Sequence, residues 1–85
     1  RDVNGNMTEQ VHIRLTTPGL DEMQLRQLKG VIQRYRGNCR VKLHIVIPNR
    51  SETIIRLPEQ LQMAASDEAM VAAEQLFGYN VMTFE

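Results

Sequence analysis

Two runs of strictly alternating apolar residues constrain most strongly what this chain can fold into. In the first run, Val11, Ile13 and Leu15 alternate with polar residues. The second and longer run has apolar residues at every other position: Val41, Leu43, Ile45 and Ile47. Successive side chains of a β-strand point to opposite faces, so this period predicts two strands that each bury one face.

Two amphipathic segments predict helices. The first runs from about Leu20 to Tyr35, with Asp21 as a candidate N-cap. Its apolar stripe recurs at helical spacing and comprises Leu25, Leu28, Val31, Ile32 and Tyr35. The second helix follows the N-cap candidate Ser66 and stops at Gly78. Its apolar stripe comprises Ala69, Met70, Ala73, Leu76 and Phe77.

The segment QRYRGNCRVKLHIVIPNRSE, residues 33–52, can be interpreted in two ways. The arginines around Gly37 are typical either of a loop that binds phosphate or of the end of a helix. A phosphate loop needs a helix N-terminus, where free amide groups point outward. Gly37 instead follows the last apolar helical position, with Arg34 and Arg36 at the negative end of the helix dipole. We therefore predict that Gly37 ends the helix in a left-handed backbone conformation.

The remaining elements complete an α+β fold. Turn residues from Pro48 to Ser51 separate the second strand from a third with Thr53, Ile55 and Leu57, which predicts an antiparallel hairpin. Residues 61–65 alternate weakly and can add a short further strand, and residues 79–84 supply the last one. The order is β-α-β-β-(β)-α-β. A right-handed crossover then gives a split βαβ-like mixed sheet of four or five strands with two helices on one face.

Length and composition indicate one small globular domain. Eighty-five residues can bury a single core. Residues 1–8 are polar and are interpreted as a linker from an upstream domain, which leaves residues 9–85 as the folded domain. Ten Lys and Arg balance ten Asp and Glu, whereas a dedicated nucleic-acid binder would be basic. The single cysteine fits a reducing cytoplasm, and no apolar run approaches the ~20 residues of a membrane span.

Sequence motifs of enzymes are missing: the chain has no Walker loop, no GxGxxG, no HExxH and no GxSxG. We therefore predict no catalytic residue, no metal site and no cofactor in this segment. His12 and His44 lie on separate strands that need not be neighbours, and both are interpreted as solvent-facing. Cys39 precedes an apolar strand and is interpreted as a small, half-buried hydrophobic residue rather than a nucleophile.

Two surfaces are candidates for contact with a partner. The sheet face opposite the helices collects five basic side chains: His12, Arg14, Lys42, His44 and Arg56. Arg14, Lys42 and Arg56 are candidates for contact with single-stranded DNA. No aromatic residue is available there to stack on bases, so a solvated or partner-packed face is the simpler interpretation. The last strand offers the second surface, whose candidate protein-binding residues are Tyr79, Val81, Met82 and Phe84.

Two longer segments, LRQLKGVIQRYRGNCRVKLHI and AASDEAMVAAEQLFGYNVMTFE, carry a resemblance to a known family. Their order of helix, glycine, strand, Ser-Asp cap, apolar helix, glycine and final strand resembles the C-terminal domain of the bacterial replicative DNA polymerase III alpha subunit. The resemblance covers nearly everything from Val11 to Glu85. The chain departs from the family pattern at Arg36, Arg40 and Ala65, where that family often has proline. These are turn or helix-entry positions, so the departures remove no functional group.

The resemblance implies that the parent chain is a cytoplasmic DNA-directed DNA polymerase, a nucleotidyltransferase whose catalytic groups lie upstream. It implies that this segment is a non-catalytic docking domain, which binds the tau subunit of the clamp loader during DNA replication. The order of elements is also similar to that of ACT-type domains, which regulate by binding a small ligand. Pro18-Gly19 is only a faint version of the glycine-rich turn that those domains need. Docking, ligand regulation and contact with single-stranded DNA are thus the three hypotheses.

Overall fold

A computed structural model describes residues 9–85, which form a four-stranded mixed sheet and two α-helices. The elements in chain order are β1 (Gln10–Thr16), α1 (Glu22–Arg34), β2 (Arg36–Ile47), β3 (Ser51–Arg56), α2 (Asp67–Phe77) and β4 (Met82–Phe84). A short 3-10 helix, Glu59–Leu61, lies between β3 and α2. The predicted linker, residues 1–8, lies outside the described residues. The α+β fold predicted from the sequence is confirmed.

The strand order in the sheet is β3-β2-β1-β4. Strands β1 and β2 are parallel, with Val11 opposite Val41, and α1 connects them. Strand β4 pairs antiparallel with β1, and β3 pairs antiparallel with β2 as the predicted hairpin. The turn of that hairpin places Asn49 at a φ of 63°, and the amide of Arg50 donates to the carbonyl of Ile47 at 3.0 Å. Strands β3 and β4 are therefore the two edges of the sheet.

Both helices begin at the residues that the sequence indicated. The side chain of Asp21 accepts a hydrogen bond from the amide of Gln24 at 2.7 Å, and the Gln24 side chain accepts from the amide of Asp21. This reciprocal pair is a capping box, which satisfies two amide donors at the start of α1. Ser66 Oγ accepts from the amide of Ala69 at 3.1 Å, and Gly78 ends α2 with a φ of 86°.

Gly37 has a different role from the one predicted. Helix α1 ends at Arg34 with Tyr35 as its C-cap, and Gly37 lies inside β2 without a left-handed backbone. A Cβ added to Gly37 would lie 2.6 Å from the Cα and backbone nitrogen of Ala64. The amide of Ala64 donates to the carbonyl of Tyr35 at 2.7 Å, which holds the two backbones together. Gly37 is therefore required by the close approach of a distant segment, not by the helix end.

The weakly alternating residues 61–65 do not form a fifth strand within the described part of the chain. Met63 instead makes isolated bridges to Arg36 and Cys39 at the start of β2. The Met63 side chain is fully buried, so one inward residue anchors this crossing segment to the core. Burial of a side chain of this size stabilises the fold by about 1.5–3 kcal/mol.

The core lies between the sheet and the two helices, as predicted. Its buried residues are Val11, Ile13, Leu15, Leu28, Ile32, Cys39, Val41, Leu43, Met63, Ala69, Ala73, Val81 and Met82. Leu76, Phe77 and Ile45 pack against this core while partly buried. Strand β3 is different, because every one of its residues is exposed. The predicted inward residue Ile55 is 43% exposed, since no helix covers this edge.

Candidate functional site on the outer face of the sheet

The face of the sheet away from the helices, termed the outer face, carries the five basic side chains expected there. His12 and Arg14 of β1 lie between buried neighbours and therefore point outward. In the strand register His12 is opposite Lys42, Arg14 is opposite His44, and Lys42 is opposite Arg56. The prediction that these residues share one face is consistent with the strand pairing.

The two histidines belong to one hydrogen-bonded row, termed the histidine chain, that crosses the sheet. His12 Nδ1 lies 2.9 Å from His44 Nε2, and the ring centroids are 5.1 Å apart. His12 Nε2 lies 2.8 Å from Glu85 Oε1, and His44 Nδ1 lies 2.7 Å from Glu52 Oε2. Arg14 Nη1 closes the row at 3.1 Å from Glu52 Oε1. The histidine chain thus joins residues from β1, β2 and β3 to the residue after β4.

Each contact that a histidine makes in the histidine chain joins diagonal neighbours in the register, whereas the contact of Arg14 with Glu52 spans from β1 to β3. His12 is directly opposite Lys42 and Thr83, and it contacts the residues two positions further on, His44 and Glu85. Diagonal neighbours lie about 7–8 Å apart at the backbone, within reach of long side chains. The sequence left open whether the strands of the two histidines are neighbours, and the structure brings the histidines together because β1 and β2 are adjacent and parallel.

The sequence reasoning missed Glu52 and Glu85 as partners of the histidines. A signal for Glu52 was present, because the turn after Ile47 pairs Val46 with Glu52. That register places Glu52 on the same face as His44. Glu52 lies two positions from Ile54, which is directly opposite His44. No comparable signal existed for Glu85, whose position depends on where β4 joins the sheet.

The hydrogen bonds of the histidine chain depend on which ring nitrogens carry a hydrogen. Glu52 and Glu85 are acceptors when ionised, so these two bonds need a hydrogen on His44 Nδ1 and on His12 Nε2. The contact between His12 Nδ1 and His44 Nε2 needs one more hydrogen, since two lone pairs at 2.9 Å would repel. The three bonds therefore form together only when three of the four ring nitrogens carry a hydrogen.

Both carboxyl groups are stabilised in their ionised form. The hydrogen bond from His44 lowers the pKa of the Glu52 carboxyl, and the charge of Arg14 acts in the same direction. The hydrogen bond from His12 lowers the pKa of the Glu85 carboxyl, with a further contribution from the charge of the same histidine. Hydrogen bonds to the charged form favour that form. Glu52 and Glu85 are therefore held in the form that accepts hydrogen bonds from the histidines.

The three candidate DNA-contact residues separate into two environments. Arg14 is engaged by Glu52 at the β3 side of the histidine chain. Lys42 and Arg56 lie toward the other end of the sheet, where they line a cavity with Arg40. The structure thus brings the candidates Lys42 and Arg56 together, and it places Arg40, which was not a candidate, beside them.

The four candidate residues of the last strand lie in different places. Val81 and Met82 are 3% and 1% exposed and belong to the core, so in this fold they offer no surface to a partner. Phe84 packs against the core while partly buried, and Tyr79 is 42% exposed. Tyr79 also accepts a hydrogen bond from the amide of Thr16 through its hydroxyl at 3.1 Å. Tyr79 and Phe84 remain the accessible members of this set, and their role in binding stays a prediction.

A second apolar surface lies at the hairpin of β2 and β3. Ile47, Ile54 and Ile55 are 40%, 56% and 43% exposed. Ile54 and Ile55 lie on opposite faces of the edge strand β3, and Ile47 is the last residue of β2. These three residues are termed the isoleucine edge. The sequence reasoning missed this surface because it assigned Ile47 and Ile55 to the core. The alternation alone could not show that the helix layer stops short of β3.

Groups typical of catalysis are separated by the sheet. Cys39 is buried in the core on the helix side, whereas His12 and His44 lie on the outer face. Among residues 9–85 no group of three or more His, Cys, Asp or Glu side chains could hold a metal ion. The same part of the chain contains no helix that is long and apolar enough to cross a membrane.

Comparisons of the chain with protein-family models, with curated proteins and with solved structures found no match. The function is therefore argued from the residues and contacts described above.

Proposed function

We propose that residues 9–85 form a non-catalytic docking domain of a replicative DNA polymerase alpha subunit. The domain would bind the tau subunit of the clamp loader during DNA replication and would need no cofactor of its own. The resemblance of the helix, glycine and strand order to the C-terminal domain of that subunit supports the choice of parent protein. The isoleucine edge supports the choice of a docking role.

The isoleucine edge is the observation that carries this proposal. Strand β3 is an edge strand, so one side of its backbone has no partner strand among the described residues. Ile54 and Ile55 point to opposite faces of it and are both more than two fifths exposed. An exposed apolar edge strand promotes aggregation of a free protein. The same edge can bind a partner that adds a strand to the sheet and covers the apolar side chains. We infer that tau contacts Ser51–Arg56 in this way.

A docking domain of this kind takes no part in the catalytic step of the polymerase. Attaching a polymerase to a partner at the replication fork raises its effective concentration there. Such a role needs a stable fold and a contact surface, not a reactive group. The buried core and the exposed edge meet these two requirements.

Calorimetric titration of this chain with a C-terminal fragment of tau tests the proposal. We expect binding by the unchanged chain, and a loss of at least about tenfold in affinity for the variant Ile54→Thr with Ile55→Thr, equivalent to ~1.4 kcal/mol. Threonine keeps the β-branched shape that strands favour, so the fold should persist. Met23→Gln is the matched control, because Met23 is 68% exposed on α1, away from this edge.

The outcomes separate three possibilities. Loss of binding in the isoleucine variant alone supports docking at β3. Loss in Tyr79→Ser, with the isoleucine variant unaffected, moves the contact to the β4 edge. Absence of any heat and of co-elution at tens of micromolar for the unchanged chain removes the docking role from this segment.

A further inference from the structure

A basic cavity lies on the outer face beside the histidine chain. It has a volume of about 160 Å³ and is lined by Gln10, Arg40, Lys42, Arg56 and Leu57. Arg40 and Lys42 are two positions apart on β2, so they point to the same side. Arg56 is directly opposite Lys42 on β3, and Gln10 is directly opposite Arg40 on β1. Three neighbouring strands therefore place three cations and one amide around a single cavity.

The three cations of the basic cavity have no ion pair within residues 9–85. The ion pairs that involve the outer face join Glu52 to Arg14 and His44, and Glu85 to His12. Lys42 acts on Glu85 only through its longer-range charge. The acids of the outer face are therefore committed to the histidine chain, and the cavity keeps an uncompensated positive charge.

The pairing of Lys42 with Arg56 works against the stability of the sheet. Like charges directly opposite each other on neighbouring strands are destabilising. Proteins depart from such local rules mainly where a function requires it. An anion between the two side chains would convert this repulsion into attraction.

Gln10, which lines the cavity, has an unusual side-chain environment. Its Oε1 atom is buried and has no hydrogen-bond partner among the described residues. A buried polar atom without a partner is uncommon in a native fold and calls for an explanation. The side-chain amide of Gln10 also has two N–H donors that can bind an anion held by the three cations.

We propose that the basic cavity binds a phosphate group. Two guanidinium groups present planar pairs of donors that match phosphate oxygens, and an ammonium group adds a point charge. Three converging cations suit a phosphate with its several charged oxygens better than a single carboxylate. The lining contains no aromatic ring to stack on a base. The cavity is therefore expected to bind the phosphate group and not a base. The phosphate can belong to a small molecule or to the backbone of a nucleic-acid strand.

Fluorescence anisotropy with a labelled oligothymidylate, and NMR titration with inorganic phosphate, test this proposal on the 85-residue chain. The test variant is Arg40→Gln with Arg56→Gln. The control is Lys29→Gln with Arg50→Gln, which removes the same charge at exposed positions outside the cavity. We expect oligonucleotide affinity to fall at least about tenfold in the test variant and about twofold in the control. The magnitude of the slope of log affinity against log salt should fall by about 1.4 in the test variant, since each contact with a single strand contributes ~0.7.

The outcomes are distinguishable from one another. Phosphate-induced shifts at Gln10 and the cavity arginines support the proposal, and oligonucleotide binding decides whether a strand is also accepted. Equal losses of affinity in the test and control variants would show that binding depends only on the overall charge of the domain, and would overturn the phosphate proposal. Displacement by a polyglutamate peptide as effective as that by phosphate would assign the cavity to an acidic protein instead. Arg56 lies both in the cavity lining and in the proposed docking segment Ser51–Arg56. The docking test instead changes Ile54 and Ile55, which do not line the cavity, so failure of the phosphate proposal leaves the docking proposal untouched.

Discussion

His12 Nδ1 and His44 Nε2 face each other at 2.9 Å across two parallel strands, while the opposite nitrogen of each ring faces a carboxylate. The arrangement is complete only with a proton between the rings. The position of that proton is the most direct test of the site.

Imidazole nitrogen NMR spectra test which ring nitrogens carry a hydrogen. Hydrogen bonds to a carboxylate are charge-assisted and are about twice as strong as neutral ones, so we expect hydrogens on His12 Nε2 and His44 Nδ1. A spectrum in which His12 Nε2 carries no hydrogen would contradict its hydrogen bond to Glu85.

Acidification should destabilise the fold through Glu52 and Glu85. Both carboxyl groups have a pKa below their usual value of 4.5 in the folded chain. A lowered folded-state pKa contributes stability that is present above the unfolded pKa and is lost as the pH falls through the folded one. The free energy of unfolding should therefore decrease as the pH falls from about 5 to about 3.

Urea unfolding of Glu52→Gln at several pH values measures this contribution. We expect the variant to be less stable than the unchanged chain near neutral pH and to lose less stability on acidification. Glu74→Gln is a suitable control, because Glu74 is an exposed residue of α2 outside the histidine chain. If the unchanged chain, Glu52→Gln and Glu74→Gln all lose the same stability on acidification, Glu52 is not the cause of that loss.

Gly37→Ala and Gly30→Ala should change stability in opposite directions. A Cβ at Gly37 meets the Ala64 backbone at 2.6 Å, which forces a shift that typically costs about 1–3 kcal/mol. A Cβ at Gly30 meets nothing within 4 Å and improves helix propensity inside α1, by about 1 kcal/mol. Chemical denaturation of both variants provides the measurement. A neutral Gly37→Ala would contradict the close approach of residues 63 and 64.

Met63→Ala should destabilise the domain by about 2–5 kcal/mol, because the side chain is fully buried and its removal leaves a cavity. Met23→Ala should change stability by less than about 0.5 kcal/mol, because that side chain is mostly exposed. Thermal or urea unfolding can compare the two. Similar effects in both variants would place Met63 outside the core.

Features that depend on local pattern could be predicted from the sequence. The alternation along β1 identified Val11, Ile13 and Leu15 as core residues, and all three are fully buried. Asp21 and Ser66 were identified as helix caps, because a cap is decided by a few neighbouring residues. The parallel direction of β1 and β2 followed from the crossover rule once α1 was placed between them, whereas the sequence left open whether the two strands are neighbours.

Features that depend on distant contacts could not be predicted in the same way. The role of Gly37 is set by Ala64, which lies far along the chain and reaches it only after the segment between β3 and α2 crosses back. The partners of the histidines depend on strand order and register, which the alternation does not specify. The exposure of Ile55 depends on how far the helix layer extends over the sheet.

The histidine chain runs from the edge at β3 to the opposite edge at β4, so the two margins of the sheet are coupled by charge. A partner that seats on Ser51–Arg56 and draws Glu52 away would leave His44 without its acceptor. The contact of His44 with His12, and through it the contact of His12 with Glu85, would then lose one of its supports. Docking at one margin of the sheet would accordingly be felt by the side chains at the other margin.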